Sequence, residues 1–373
     1  MSLEKPQSEV EVLRIGVKSG YKNMFERAGD LFFKKLLDRR LNFGPGKGNA
    51  GDTAISTAFQ PIFEFLFDSY SSDFMMSHRI YDEEDIKKVN SYDVVFVGGH
   101  GLFLHDTFPN NVSDWMWGIS EDLLSQIEPP MYVYGVGYNK FEGQRDFNDS
   151  FDATVNALVE ESRFFGLREK GGIEKLRKDH LKSKLEDSLE HVYCPTLLLN
   201  DRKYGYSRDD SQKVGLVIAG DRRDNRYSNP EKFVHQVQDL EQRLQERGYE
   251  VVRINHLRDD WIDPYLQTEE KIDLCGEPAE KVYRTYSRFD TVIGTRGHSL
   301  MIPLSVGCRV VSINTQKKQQ WFMQDVGLEN YSVEDHENLS SKVIDRFDML
   351  HEIDWDRKQS GIMDEVKRKN EGK

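Results

Sequence analysis

Short apolar runs alternate along this chain with longer stretches in which apolar residues recur every three or four positions. Residues 94–97 (Val-Val-Phe-Val), 132–134 (Tyr-Val-Tyr) and 164–167 (Phe-Phe-Gly-Leu) read as buried strands, and 119–127 and 151–159 between them read as helices. Upstream, Phe25, Leu31, Phe32, Leu36 and Leu37 stand among charges, as on an amphipathic helix over 23–41. Residues 44–51, with four glycines and a proline, form a loop, after which Ile55, Ala58, Phe59, Ile62, Phe63 and Leu66 repeat with helical spacing. The first twenty residues give no clear period. Beyond a highly charged stretch at 182–190 and a polar one at 200–212, a second series begins. It has strands at 214–219, 251–255, 291–294 and 310–313, and a helix carrying Phe233, Val237, Leu240 and Leu244.

Alternating strands and helices imply parallel sheets covered on both faces, with ligands beyond the carboxyl ends of the strands. The expectation is an α/β chain of two Rossmann-like lobes, 1–200 and 201–350, with an active site in the cleft between them. The tail, 351–373, is read as a helix that crosses back to the first lobe. A chain of 373 residues exceeds the size at which one core stops growing, which favours two lobes.

Composition narrows the function. No apolar run approaches the length of a bilayer span. The opening Met-Ser-Leu-Glu-Lys-Pro lacks the apolar stretch of an export signal, so the cytoplasm is expected. Peripheral membrane contact stays open, and oligomeric state is not encoded legibly. Cys194, Cys275 and Cys308 are widely spaced and odd in number, which fits neither a disulfide framework nor paired metal-ligand cysteines. A net charge of −13 repels nucleic acid, and an anionic substrate would need a local cluster of Arg and His to overcome that field.

Four segments could meet that need. Gly48-Asn49-Ala50-Gly51-Asp52 opens a helix, where free N–H groups favour an anionic or hydroxyl-rich ligand; Asp52 alternatively caps the helix. Gly46-Lys47-Gly48 is no phosphate-binding P-loop, because Gly rather than Ser or Thr follows the Lys. Gly98-Gly99-His100-Gly101 ends a strand, either as a tight turn or to let backbone approach a ligand. His100, His105 and Asp106 match no common metal-ligand spacing, so no metal is expected. Arg168 and Glu169 end another strand, as a surface pair or with Glu169 orienting Arg168. Finally, Thr295-Arg296-Gly297-His298-Ser299 follows the strand at 291–294. If that turn is extended, Arg296 and His298 project to one side and grip one anion; the bland alternative is an exposed Arg and a helix-capping His.

In this order the segments resemble the polysaccharide pyruvyltransferase family. The resemblance is carried by Gly48-Asn49-Ala50-Gly51-Asp52, Gly98-Gly99 with residues 106–113 (Asp-Thr-Phe-Pro-Asn-Asn-Val-Ser), Arg168-Glu169 and Arg296-Gly297-His298, and it runs from about residue 42 to 331. It implies a fold of the glycosyltransferase-B type with an acceptor-side first lobe and a donor-side second lobe. It also implies transfer of pyruvate from phosphoenolpyruvate, a co-substrate, onto two hydroxyls of one sugar as a ketal, with no cofactor. The acceptor would be a sugar, glycan or lipid-linked saccharide. Arg168, Arg296 and His298 would bind the donor; Asn49, Asp52, Gly98, Gly99, His100 and Asp106 would face the acceptor. The catalytic set would be His298 as acid or phosphate contact, Arg296, and Asp52 as base. His100 stands where the family commonly has Gly, and Gly171-Gly172 stand where a Ser often follows the Arg-Glu pair. A glycosyltransferase using a nucleotide sugar, or a non-catalytic carbohydrate-binding protein, would share the architecture.

Overall fold

The computed structural model describes residues 10–16, 48–257, 259–334 and 337–371; the helix expected over 23–41 lies outside them. The chain divides into two compact units. One is drawn from Met1–Val17, Ala58–Pro195 and Val366–Lys373, the other from Lys18–Thr57 and Thr196–Glu365.

The first unit is built on six parallel strands: β1 (Val10–Gly16), β2 (Tyr70–Met76), β3 (Val94–Gly98), β4 (Met131–Val136), β5 (Ser162–Leu167) and β6 (Leu189–His191). Their order across the sheet is β2-β1-β3-β4-β5-β6. The runs at 94–97, 132–134 and 164–167 are the cores of β3, β4 and β5. β3 is buried along its whole length, as expected for a strand covered on both faces. β1 pairs with both β2 and β3 and is therefore central. Its periodicity is illegible because Arg14 interrupts the apolar run Val12, Leu13, Ile15 and is itself buried.

Helices α1 (Ala50–Leu66), α2 (Glu83–Val89), α3 (Asp149–Glu161) and α4 (Lys170–Asp179) follow in chain order. α3 starts where the Asn148 side chain accepts hydrogen bonds from the Ser150 and Phe151 amides, satisfying donors the helix cannot. The helix expected at 119–127 is a single turn, Glu121–Leu124, capped by Ser120. Pro129 and Pro130 follow closely, and the residue before a proline is driven out of helical geometry.

The second unit repeats the plan with β7 (Lys213–Val217), β8 (Glu250–Asn255), β9 (Lys271–Asp273), β10 (Thr291–Gly294), β11 (Arg309–Asn314) and β12 (Ser332–Glu334), in the order β12-β11-β10-β7-β8-β9, all parallel. This is the doubly wound order in which the chain starts mid-sheet, runs to one edge, returns and runs to the other. Its helices are α5 (Pro230–Glu246), α6 (Ala279–Tyr286), α7 (His298–Ser305), α8 (Lys317–Asp325), α9 (Leu339–His351) and α10 (Trp355–Glu371). α5 begins with Asn229 as cap and Pro230 in the first turn, where a missing N–H costs nothing. It buries Phe233, Val237, Leu240 and Leu244, the stripe read from the sequence. α10 makes the tail helical, and Asn370 near its end exchanges hydrogen bonds with the Tyr193 amide (2.9 Å) and carbonyl (3.0 Å) in the first unit's group of segments.

Candidate functional site

Sheets of this kind bind ligands beyond the carboxyl ends of the two strands at which the winding reverses. In the second unit those strands are β7 and β10. Arg296 and His298 leave the end of β10, but the turn is not extended. Gly297 has helical dihedrals (φ −54, ψ −48), and His298 is the first residue of α7. Strand alternation therefore does not align the two side chains, which corrects the expectation that it would. His298 is half-buried at the helix N-terminus, and the Arg296 guanidinium is buried. Arg296 Nε donates to Asp259 Oδ2 (3.2 Å), and its Nη2 bonds Asp259 Oδ1 and pairs with Asp221 Oδ1 at 2.5 Å.

The sequence reading did not single out Asp221 or Asp259, although each follows a strand end, where such a group faces ligands. Asp259 accepts from the backbone amides of Gly220 (2.8 Å), His256 (3.0 Å) and Leu257 (3.2 Å) as well as from Arg296. One carboxylate thus ties together the loops that follow β7, β8 and β10. Burial pushes the Asp259 pKa up, but the Arg296 charge and these hydrogen bonds more than offset it and leave it below the usual range. Asp221 behaves alike: burial raises it, and Arg296 with Arg226 bring it down further. Burial opposes the charge on Arg296, and the two carboxylates hold its pKa above the usual value. Arg226, also buried, pairs with Asp221 at 3.0 Å and lies within 3.4 Å of Thr315 Oγ1 and Gln316 Oε1.

The glycine-rich segment at 48–52 reaches this same place. Asn49, not Asp52, caps α1: its Oδ1 accepts from the Gly51 amide at 2.9 Å. Asp52 sits half-buried in the first turn of the helix. The Ala50 amide donates to the His256 carbonyl (3.0 Å), and the Gly48 carbonyl accepts from the Gly276 amide (2.6 Å). A β-carbon on Gly51 would stand 2.6 Å from Cγ and 2.9 Å from Cβ of His298, so only glycine allows the helix start to lie against that ring. Asn49, Gly51 and His298 are thereby brought together with Arg296. The His256 ring is buried and bonded to the Tyr286 hydroxyl; burial, with the nearby Arg296 charge, pulls its pKa down to about 3. It is neutral at physiological pH.

In the first unit the winding reverses between β1 and β3. Gly98 ends β3 so close to β4 that a side chain would strike the Tyr134 carbonyl, which accounts for that glycine without a ligand. Gly99 (φ 64) and His100 (φ 70) follow in the left-handed region, costly for His. His100 is buried, its Nδ1 3.4 Å from the Gly98 carbonyl. Arg168 and Glu169 are no surface pair: both are buried, and Nε donates to Oε1 at 2.6 Å. The guanidinium lies flat on Gly137, where a β-carbon would come within 2.6 Å of Nε and Nη2. Gly137, absent from the sequence reading, is thus needed for Arg168 to reach its position.

Asp106 accepts from Gln144 Nε2 (2.8 Å) and Thr107 Oγ1 (3.3 Å). Its loop is held by Asn110, whose Oδ1 accepts from the Val112 and Ser113 amides and whose Nδ2 donates to the Trp115 carbonyl at 2.8 Å. Among the described residues no group of three His, Cys, Asp or Glu side chains is placed to hold a metal ion, and no helix is long and apolar enough to cross a membrane.

The two lobes are Rossmann-like, and the fold is of the glycosyltransferase-B type. It is similar to a Listeria monocytogenes protein assigned as a UDP-N-acetylglucosamine 2-epimerase (TM-score 0.55, 10% identity, 95% of this chain and 91% of that one). It is also similar to a glycosyltransferase from Rickettsia africae ESF-5 (TM-score 0.52, 10% identity, 97% and 94%). A third similar structure is the UDP-GlcNAc 2-epimerase from Methanocaldococcus jannaschii (TM-score 0.50, 10% identity, 92% and 93%). At such identities the likeness speaks for the fold alone. No curated protein matches the chain in sequence. A sequence model of polysaccharide pyruvyl transferases, however, matches residues 18–317, a span that contains Asn49, Arg168, Arg296 and His298. The chain belongs to the polysaccharide pyruvyl transferase family.

Proposed function

We propose that this protein transfers the pyruvyl group of phosphoenolpyruvate to two hydroxyls of one sugar residue, forming a pyruvate ketal and releasing phosphate. The observation that carries the reading is the meeting of two segments far apart in sequence. The N-terminus of α1, whose first amides are tied to Asn49 and the His256 carbonyl, lies against His298, beside Arg296 at the reversal point of the second sheet. A small, multiply charged donor suits such a place: the positive end of a helix dipole and a fixed guanidinium favour oxyanions, and burial strengthens each interaction.

The chemistry balances without a metal or redox partner. A general acid protonates the methylene carbon of phosphoenolpyruvate, leaving cationic character on the adjacent carbon, which one sugar hydroxyl attacks with loss of its proton. Phosphate departs, and the second hydroxyl closes the ketal. In this proposal His298 is the acid or contacts the phosphate, Arg296 faces the anionic groups, and Asp52 is the base toward an acceptor hydroxyl. Asn49 holds the helix start. Arg296 cannot pivot freely, because Asp221 and Asp259 hold it; it would act as a preset charge.

The test supplies phosphoenolpyruvate with a panel of galactoside, mannoside, N-acetylmannosamine and glucuronide acceptors and follows phosphate release and product mass. Phosphate release matched by a product heavier by one pyruvyl ketal is expected. Consumption of a nucleotide sugar, with phosphoenolpyruvate untouched, would contradict it.

A further inference from the structure

The two carboxylates on Arg296 are held in different ways. Asp259 is fully buried and accepts from the Gly220, His256 and Leu257 amides as well as from Arg296, so it belongs to the scaffold. The Asp221 side chain is 21% exposed, and among the described residues its carboxylate meets guanidiniums and no backbone amide. Oδ1 faces Arg296 Nη2, while Oδ2 accepts from Arg226 Nη2 at 3.0 Å and from Arg222 Nη1 at 3.2 Å. The contact with Arg296 is one of charge rather than alignment, since Oδ1 takes no well-directed hydrogen bond. Guanidiniums closing on one carboxylate from several sides are how proteins hold a carboxylate or phosphate that comes from outside.

The two buried cations do not depend on this carboxylate for their places. Asp259 fixes Arg296 through both Nε and Nη2. Arg226, at the end of the helical turn Arg223–Arg226, donates from Nε to the backbone carbonyl of Asp221 at 2.9 Å. Its Nη1 lies 3.4 Å from Thr315 Oγ1 and Gln316 Oε1, just beyond β11. With the Asp221 side chain turned away, an Nη2 from each guanidinium would still stand at the place the carboxylate had held. Burial lowers the Arg226 pKa, Asp221 offsets part of that, and the Arg296 charge lowers it further, so the pair favours an anion between them. Asp221 can turn outward with a partner, because Arg222 is itself 28% exposed.

We propose that the Asp221 carboxylate competes with an oxyanionic ligand for one place between Arg226 and Arg296, and turns aside when that ligand binds. This rests on the reading of the second sheet's reversal point as the donor's place: there the ligand is the donor's phosphate, and Asp221 is an attached competitor that limits how tightly the donor is held. A phosphate monoester carries a charge of about −1.5 to −2 and three strong acceptor oxygens, enough to displace a singly charged carboxylate despite its tether.

The test titrates the full chain with inorganic phosphate by calorimetry at fixed ionic strength. Asp221→Asn, alike in shape and uncharged, is expected to bind phosphate at least about tenfold more tightly than the unaltered protein, because a like charge has left the anion's place. Asp224→Asn removes an exposed carboxylate from the same loop and controls for the general field; it is expected to stay within about twofold. Adding Arg226→Gln to Asp221→Asn should abolish the gain. Unchanged or weaker binding in Asp221→Asn overturns the proposal, as does an equal gain in Asp224→Asn or no measurable binding by either Asp221→Asn or the unaltered protein. Should Asp221→Asn not fold, the structure of the unaltered protein with inorganic phosphate decides. Phosphate between Arg226 and Arg296 with Asp221 turned away is expected; phosphate seated elsewhere, or Asp221 unmoved, overturns the competition. Because phosphate binding needs no turnover, the expected gain in a protein that leaves phosphoenolpyruvate untouched would uphold the competition and count against the proposed function alone.

Discussion

Asp259 joins more of the site than any residue singled out in the sequence, and its loss has a calculable consequence. In Asp259→Ala a buried Arg296 keeps Asp221 but loses its bidentate partner, and three backbone amides lose their acceptor. Breaking a buried pair costs about 3–5 kcal/mol, and the surviving Asp221 sets the expectation near about 3 kcal/mol, read from denaturant unfolding of the second unit. The carboxylates also set an acid limit. Asp221 and Asp259 titrate lower in the folded chain than they would unfolded. Their stabilisation is therefore complete above the ordinary carboxylate pKa, about 4, and is lost as pH falls from there through the folded values. Unfolding followed from pH 6 to pH 2 should steepen below about pH 4, and Asp221→Asn should flatten that limb; an identical slope in the variant would contradict the pairing.

At this scale the sequence reading found the cation but not its partners. Arg296 and His298 stand out because they follow an apolar run. Asp221 and Asp259 lie in loops among other charges, and only the winding of the sheet brings positions 221, 259 and 296 to one point. Gly137 is silent for the same reason: its purpose is the Arg168 guanidinium thirty-one positions away.

The helix start of α1 is the element on which the proposed site most depends. Gly51→Ala would ordinarily favour a helix by up to about 1 kcal/mol. Here the added carbon meets Cβ and Cγ of His298, atoms that cannot swing aside like a flexible chain end, so α1 or α7 must shift. Turnover of phosphoenolpyruvate should fall at least about tenfold, since small misplacements at a reacting centre are costly, while the melting temperature changes little. Unchanged turnover would show that the approach of α1 to His298 is incidental. Asn49→Ala removes the cap and should cost about 1 kcal/mol of stability, with activity reduced in parallel.

Elements were legible where their packing is uniform. Strands buried on both faces, such as β3 and β10, appear as unbroken apolar runs, and α5 shows a clean stripe. β1 is hidden because a central strand carries Arg14, whose burial between two aromatic rings no local pattern announces. The turn after β10 was misread because Gly297 adopts helical dihedrals and starts α7 at once. Alternation applies to an extended segment and fails one residue after it ends.

Taken whole, the molecule repeats one device: a parallel sheet whose winding reverses mid-sheet. In the second unit Arg296, His298 and the start of α1 stand just beyond that reversal; in the first, Gly99 and His100 follow the end of β3. The alternation of strands and helices was enough to predict both sheets. The strand order that defines each reversal was not, because pairing between β7 and β10 depends on contacts about eighty residues apart. That order turns scattered motifs into sites.

The most direct test of the central claim compares kcat/KM for phosphoenolpyruvate between the unaltered protein and His298→Ala. The side chain is half-buried on the first turn of α7, so its removal is expected to leave unfolding within about 1 kcal/mol of the parent. If the reversal point of the second sheet is where the donor reacts, kcat/KM falls by a factor of about 100 or more. A variant that keeps its fold and turns over phosphoenolpyruvate within about twofold of the parent, a difference of only about 0.4 kcal/mol in transition-state stabilisation, would contradict the account.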